Sequence, residues 1–166
     1  VIHPTGTGKS MIALQLIEDK PKARILYITS VATNLLEFWN KVEKLGSYRM
    51  VLGLSRSSIP KVADGEMKGD LDGVIDEDAE SEVISYEDRQ EMLKKAMEFD
   101  ESYMEGPVVQ FCLYAGLDNM LNDFDLIILD EFHRAGASQW EGKVRHLLSE
   151  NENAKIVGFS ATPVRM

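Results

Sequence analysis

The 166-residue sequence has one cysteine, three histidines and no long apolar run. The lone Cys112 excludes an internal disulfide, and the scattered histidines have no metal-ligand spacing. No window approaches the about 18 consecutive apolar residues of a membrane-spanning helix, and no segment resembles a signal peptide. These absences argue against secreted and membrane-spanning proteins, so we expect a cytoplasmic location and no membrane partner.

The chain also lacks an overall excess of positive charge, with 18 Lys and Arg against 28 Asp and Glu and a net charge of −10. The acidity is local, because residues 64–105 hold 16 of the acidic residues and only 4 of the basic ones. Outside that segment the chain is nearly neutral, so its charge neither excludes a nucleic-acid partner nor indicates one.

What the sequence does have is a regular alternation of apolar and amphipathic segments. The length is that of one domain. Together with this alternation it predicts an α/β fold, namely a doubly wound and mainly parallel sheet with helices on both faces. In such folds the functional site lies at the carboxyl ends of the strands. We predict strands at 23–29, 50–54, 108–114, 126–129 and 155–159, and helices at 10–17, 34–45 (with Asn34 and Glu37 as a capping pair), 85–99, 117–121 and from 138 onward.

Residues 55–105 interrupt this alternation as an acidic insertion. Their first part, 55–85, has no sustained period and is rich in Ser, Gly and Asp, which predicts a loop or disordered segment. Ser85 with Asp88 then forms a capping signal for a helix that runs to about Phe99. The apolar stripe predicted for that helix is Leu93, Ala96 and Met97.

A glycine-punctuated turn, Pro4–Ser10, lies between the apolar pair Val1-Ile2 and a helix-like run. Strand, turn and helix in this order are what a phosphate-binding loop requires, because backbone N–H groups then converge on an anion at a helix N-terminus. Lys9 would reach the β- and γ-phosphates, and the Ser10 hydroxyl would bind Mg²⁺. His3 stands where the full pattern has glycine, and a chance Gly-Lys-Ser turn is the alternative.

A pair of carboxylates, Asp130 and Glu131, follows the strand 126–129, which is apolar at every position. A carboxylate at the end of a buried strand suits the Mg²⁺ that bridges nucleotide phosphates, and its neighbour could orient and deprotonate an attacking water. The alternative is that the two acids merely cap a helix.

Three motifs together resemble motifs I, II and III of superfamily 2 helicases and translocases: Pro4–Ser10, Asp130-Glu131-Phe132-His133 and Ser160-Ala161-Thr162-Pro163. They are most similar to the DEAD/DEAH-box group that contains restriction-enzyme helicase subunits. The resemblance implies a P-loop NTPase, with residues 1–166 as the first RecA-like ATP-binding domain and the insertion at 55–105. Since the chain begins with Val1 inside a predicted strand, we expect a piece of a longer protein whose second RecA-like domain follows.

The resemblance also implies a role for each matching residue, with ATP and Mg²⁺ as the cofactors. The catalytic residues would be Lys9, Asp130 and Glu131, and the metal would be held by Ser10 and Asp130. The nucleotide would be bound by Thr5, Gly6, Thr7, Gly8, Lys9 and Ser10. Coupling between nucleotide and nucleic acid would involve His133, Ser160 and Thr162. Nucleic-acid contacts would come from Ser30 and Thr33, where motif Ia lies, and from Tyr114 and Gly116, where motif Ib lies.

The function implied is the motor domain of a helicase or translocase that hydrolyses Mg·ATP to move on DNA or RNA, with DNA favoured. Two alternatives stay open: a double-strand DNA translocase that never separates strands, and a nucleotide-gated scaffold that does not hydrolyse. The presence of both Lys9 and Glu131 argues against the scaffold. We expect residues 1–166 alone to bind ATP but hardly hydrolyse it, because the family's arginine finger comes from the second domain.

Overall fold

The computed structural model describes residues 8–46, 48–53, 59–62, 83–97, 107–117, 123–131 and 138–160. The helices are α1 (Lys9–Glu18), α2 (Ala32–Glu43), α3 (Tyr86–Met97) and α4 (Ser138–Glu150). The strands are β1 (Arg24–Thr29), β2 (Arg49–Leu52), β3 (Lys61–Val62), β4 (Val83–Ile84), β5 (Val108–Leu113), β6 (Leu126–Leu129) and β7 (Lys155–Gly158).

Five of these strands form one sheet in the order β2-β5-β1-β6-β7, and every described pairing in it is parallel. All residues of β5 and β6 are buried, as are five of the six in β1. Because successive side chains of a strand point to opposite faces, burial at every position requires cover on both faces. The predicted parallel α/β fold is therefore confirmed.

Helix α2 covers the face of the sheet that carries Tyr27 and Phe111. Its Phe38 ring stacks on Tyr27 with centroids 4.2 Å apart, and its Trp39 ring lies 4.7 Å from Phe111. Both the Phe38 and Trp39 rings are buried. Packing of these large rings fixes the position of α2 over β1 and β5.

The predicted start of α2 is wrong. The helix begins at Ala32 after an extended Val31, so Asn34 and Glu37 lie within the helix rather than forming its capping pair. The connection after β1 takes only two residues, and Ala32, fully buried, joins the core directly. Tertiary packing decides this boundary in place of the local capping signal.

Helix α3 begins as predicted, because the Ser85 hydroxyl oxygen accepts a hydrogen bond from the Asp88 N–H at 3.1 Å. Its predicted apolar stripe is confirmed at Leu93 and Ala96, which are partly buried and pack against the core. It is wrong at Met97, which is 68% exposed, and it omits Met92, which is fully buried. The helix packs against both β2 and α2. In this position residue 92, rather than residue 97, faces the core.

The segment predicted as an unstructured loop contains two short strands. Residues 61–62 of β3 pair in parallel with residues 83–84 of β4, so the described ends of the segment lie side by side. Two-residue strands are too short to produce a periodic pattern, which explains why the sequence did not indicate them. Residues 55–58 and 63–82 of this segment, and the predicted first strand at Val1-Ile2, lie outside the described residues.

In the part of the chain that the structure describes, no helix combines the length and apolar character needed to cross a membrane.

Candidate functional site

The start of α1 and the carboxyl ends of β1 and β6 enclose a cleft of about 330 Å³, with α2 along one side. It brings together four residues that the sequence predicts to act together, although they come from opposite ends of the chain: Lys9, Ser10, Asp130 and Glu131. The cleft is also lined by Gly8, Met11, Tyr27, Asn34, Glu37, Phe38 and Lys41.

On the α1 side, Gly8 has the left-handed φ of +85° and precedes the first helical residue. Its carbonyl oxygen accepts hydrogen bonds from the N–H groups of Met11 and Ile12, at 3.0 and 3.1 Å. A Cβ at this position would meet nothing within 4 Å, so the backbone conformation and not a lack of space favours glycine here. The N–H groups of Lys9 and Ser10 precede these two amides and have no carbonyl partner within the helix, and both residues line the cleft.

The charge at this end of α1 suits an anion. No acidic residue lies in the first turn of α1, so the positive end of the helix dipole is not compensated there by a neighbouring carboxylate. Lys9 is half-buried and Ser10 is exposed, and both line the cleft. An ammonium group beside a helix N-terminus is the arrangement that binds phosphate in many proteins.

On the opposite side, Asp130 is the first residue after β6, and its N–H still donates to the Ile28 carbonyl of β1 at 2.8 Å. The Asp130 Oδ2 accepts a hydrogen bond from the Tyr27 hydroxyl at 2.8 Å, and Oδ1 accepts one from the Glu131 N–H at 3.0 Å. The Thr29 hydroxyl makes a weaker contact with Oδ2 at 3.5 Å. The carboxylate is therefore oriented through both of its oxygens, and Oδ1, which accepts one bond, keeps a lone pair for another ligand.

The parallel register explains why Tyr27 reaches this carboxylate. Tyr27 pairs with Ile128, two residues before Asp130. Since residues two apart on a strand share a face, and paired residues of neighbouring strands share it too, the two side chains lie on the same side of the sheet. The tyrosine side chain is long enough to cover the two-residue distance along the chain from Ile128 to Asp130.

Glu131 leaves the strand in the left-handed region, with φ +54°. That conformation costs a non-glycine residue about 1–2 kcal/mol, and residues held in it concentrate at functional sites. The bond between the Glu131 N–H and the Asp130 carboxylate accompanies this turn. The turn leaves the half-buried Glu131 lining the cleft beside Asp130.

Tyr114 lies in a 3₁₀ turn, Tyr114–Gly116, that follows β5. Its hydroxyl donates to the Asp130 carbonyl at 2.8 Å, and its ring stacks on Trp140 of α4 with centroids 5.4 Å apart. Burial, followed by the nearby charges of Asp130 and Glu131, raises the pKa of Tyr114 well above its usual value, so it remains a donor.

The predicted nucleic-acid contacts of Tyr114 and Gly116 stay predictions. Both residues are buried in this structure. The turn that contains them supports the backbone at Asp130 through the Tyr114 hydroxyl. A helix was predicted to follow at 117–121, and all but its first residue lies outside the described residues.

Three other predicted site residues lie at the same edge of the sheet. Thr33 is exposed in the first turn of α2, and Ser30 is partly buried with an Oγ that makes no hydrogen bond to any described residue. Ser160 is buried and lies two residues after Gly158, the last residue of β7, which pairs with Leu129. The remaining predicted residues, Thr5, Gly6, Thr7, His133 and Thr162, lie outside the described residues, so their roles stay predictions.

Sequence reasoning missed Tyr27, which it assigned only to the strand 23–29. The available signal was a single polar-tipped residue in the otherwise aliphatic run Ile25–Ile28. Buried tyrosines usually find a partner for the hydroxyl. The sequence pattern did not indicate that this partner would be Asp130.

The donor set on the two sides of the cleft fits a divalent cation bound together with phosphates. The Ser10 hydroxyl and the Asp130 carboxylate are hard oxygen ligands, which Mg²⁺ prefers. Within the described ranges, no group of three or more His, Cys, Asp and Glu side chains could hold a metal by itself. Magnesium in nucleotide sites is typically held by one or two protein oxygens, with water and phosphate oxygens supplying the rest.

The parallel sheet and the residues gathered at its carboxyl end define the N-terminal RecA-like domain of a superfamily 2 helicase. The chain belongs to the family described as type III restriction enzyme, res subunit, which matches residues 1–165. Helicases of this class bind nucleotides, typically with Mg²⁺, and nucleic acid.

Among known proteins, the chain is 28% identical over 166 residues to a protein named "Putative helicase 22" from Sulfolobus islandicus filamentous virus. That match covers 98% of this chain and 24% of the viral protein.

Two solved structures share the fold at 19% identity. The Hef helicase domain of Pyrococcus furiosus has a TM-score of 0.54, with 99% of this chain and 30% of that one covered. A nuclease-deletion mutant of the type ISP restriction-modification enzyme LlaGI, in complex with a DNA substrate mimic, has a TM-score of 0.52, with 98% of this chain and 15% of that one covered. The chain thus spans less than a third of the length of each of these three proteins.

Proposed function

We propose that this chain is the ATP-hydrolysing part of a nucleic-acid motor. The observation that carries the proposal is the cleft itself, in which Lys9 and Ser10 from the start of α1 face Asp130 and Glu131 from the end of β6. A cation beside a helix N-terminus and a pair of carboxylates across a cleft are the complementary halves of a site for a metal-bound triphosphate.

In the proposed mechanism, Lys9 and the first amides of α1 hold the β- and γ-phosphates. Ser10 and Asp130 would hold Mg²⁺, which when bound neutralises charge on the phosphate oxygens. Glu131 accepts a proton from a water positioned for in-line attack on the γ-phosphate. An arginine finger from a second RecA-like domain would supply the remaining charge stabilisation, worth about 10³–10⁵ in rate.

Nucleic acid, with DNA favoured, would run along the carboxyl edge of the sheet past Ser30 and Thr33. The exposed position of Thr33 supports this path. His133, Ser160 and Thr162 would connect nucleotide state to nucleic acid and to the second domain. The buried position of Ser160, just after the strand that pairs with β6, supports its part in that connection.

The test is nucleic-acid-stimulated ATP hydrolysis by the intact protein that contains this chain. We expect stimulation by DNA, and we expect residues 1–166 alone to bind ATP with little turnover. Fast hydrolysis by residues 1–166 alone, independent of nucleic acid, would contradict the mechanism. Nucleotide binding with no hydrolysis even in the intact protein would favour the scaffold alternative.

A second candidate is a translocase that moves along double-stranded DNA without separating it. Membership of the restriction-enzyme family favours this candidate. Strand displacement and triplex displacement distinguish the two functions, because a translocase that does not unwind removes the third strand of a triplex yet leaves a forked duplex intact.

A further inference from the structure

The ring of Tyr27 lies in the core, whereas its hydroxyl reaches the candidate site. Tyr27 is 4% exposed. Its ring packs between Phe38, at a centroid distance of 4.2 Å, and Phe111, at 5.9 Å. A phenylalanine would fill the same space, because every ring contact is made by the apolar part of the side chain. What tyrosine adds is one hydroxyl group, and that hydroxyl donates to Asp130 Oδ2 at 2.8 Å.

The geometry of this bond leaves the carboxylate little freedom. The Glu131 N–H holds Oδ1 and the Tyr27 hydroxyl holds Oδ2, so rotation of the carboxylate about its last bond would break one bond or the other. The ring cannot follow such a rotation, because Phe38 of α2 and Phe111 of β5 pack against it. Burial and the neighbouring Asp130 charge raise the pKa of Tyr27 well above its ordinary value, so the hydroxyl keeps its proton.

We propose that Tyr27 is a positioning residue that fixes the orientation of the Asp130 carboxylate and thereby sets the affinity of the site for the divalent cation that accompanies the nucleotide. The inference rests on the proposed function, because it takes Asp130 as the ligand of that cation. Groups that hold a metal ligand in place commonly change metal affinity about 10- to 100-fold when they are removed.

Two other tyrosines provide matched controls, since their hydroxyls donate to backbone carbonyls rather than to the carboxylate. The Tyr114 hydroxyl bonds the Asp130 carbonyl, and the Tyr48 hydroxyl bonds the Ile17 carbonyl in α1. Removing either hydroxyl perturbs one hydrogen bond of the fold and leaves both bonds to the Asp130 carboxylate in place. Tyr48 lies outside the residues that line the cleft.

The experiment measures Mn²⁺ affinity by electron paramagnetic resonance, in the intact protein saturated with a non-hydrolysable ATP analogue. The variants are Tyr27→Phe, Tyr48→Phe, Tyr114→Phe and Asp130→Ala, each first checked for a native circular dichroism spectrum and melting transition. We expect Tyr27→Phe to weaken Mn²⁺ binding about 10-fold or more. Tyr48→Phe should stay within about twofold of the wild type, and Tyr114→Phe should fall between the two.

The outcomes separate the inference from the function on which it rests. If Asp130→Ala weakens Mn²⁺ binding but Tyr27→Phe does not, the positioning role is wrong and the proposed metal ligand stands. If Tyr48→Phe weakens binding as much as Tyr27→Phe, the effect is one of general stability and the positioning role is also wrong. If Asp130→Ala itself leaves Mn²⁺ affinity unchanged, the proposed function loses its metal ligand and the inference fails with it.

Discussion

The two sides of the cleft differ in how firmly the protein holds them. On the carboxylate side, formed by Asp130 and Glu131, hydrogen bonds from Tyr27, Tyr114 and the Glu131 backbone join the site to the core. On the lysine side, formed by Lys9 and Ser10, the residues stand half-buried and exposed at the start of a helix.

This difference follows from what each side has to bind. A carboxylate that holds a cation benefits from fixed orientation, because reorienting it on binding would cost free energy. Phosphate binding at a helix start relies on backbone N–H groups whose positions the helix already sets, so a flexible lysine suffices beside them. Substitutions on the two sides should therefore differ in whether they affect hydrolysis, binding or folding.

The largest effect is expected at Glu131. Glu131→Gln keeps the size of the side chain but cannot accept a proton at neutral pH, so hydrolysis should fall about 100- to 10,000-fold while ATP affinity stays. Single-turnover hydrolysis by the intact protein with DNA measures this. Glu37→Gln is the matched control, because Glu37 lines the same cleft from α2. An equal loss in the control, or none in Glu131→Gln, would remove Glu131 from the mechanism.

Lys9→Ala should act on binding rather than on folding. Loss of a charge-assisted bond to phosphate is worth about 1.5–3 kcal/mol, or roughly 10- to 150-fold in Mg·ATP affinity. Lys41→Ala, on the α2 side of the same cleft, should change affinity much less. Calorimetric titration that gives the two variants the same affinity would mean that any nearby positive charge serves and that Lys9 has no specific role.

A substitution far from the cleft should affect folding alone. A Cβ at Gly53 would lie 2.1 Å from the Gln110 Nε2, and Gln110 is buried in β5. Gly53→Ala should therefore destabilise the fold by about 1–3 kcal/mol, as overpacking does. Gly142→Ala is the control, because nothing lies within 4 Å of its added Cβ in α4, and it should stabilise the helix by about 0.5–1 kcal/mol. Urea unfolding measures both, and equal stabilities would contradict the crowding at Gly53.

Tyr114→Phe should give the smallest effect. Loss of one hydrogen bond to the Asp130 carbonyl costs about 0.5–1.5 kcal/mol of folding stability, and stacking on Trp140 survives. Thermal unfolding measures this loss. DNA affinity should not change, because the Tyr114 side chain is buried. A large loss of DNA affinity in a stably folded variant would support the nucleic-acid role that the sequence predicts for Tyr114.

Sequence alone was sufficient for features that depend on long or redundant patterns. The strand 126–129 is apolar at every position, so both its burial and the location of Asp130 at its end could be predicted. The aromatic face of α2 follows the same rule, because Leu35, Phe38, Trp39 and Val42 recur at helical spacing and all four are buried. Both patterns record burial, which is the strongest signal a sequence carries.

Features that depend on contacts between distant segments could not be predicted from the sequence. The bond from Tyr27 to Asp130 joins residues more than a hundred positions apart and depends on the register of β1 against β6. The paired strands β3 and β4 are two residues long each, so they carry no period. The start of α2 was misplaced because a buried Ala32 extends the helix past the capping signal. In each case tertiary structure decides what local sequence leaves open.

The central claim is that the lysine side binds the phosphates directly, whereas the carboxylate side binds them through a divalent cation. Calorimetric ATP affinity of wild type, Lys9→Ala and Asp130→Ala, each in Mg²⁺ and in EDTA, tests it. We expect Lys9→Ala to weaken ATP binding under both conditions. Asp130→Ala should weaken binding only in Mg²⁺, since without the cation the carboxylate merely repels the phosphates. Equal weakening by Asp130→Ala in EDTA, or no weakening in Mg²⁺, would contradict the claim.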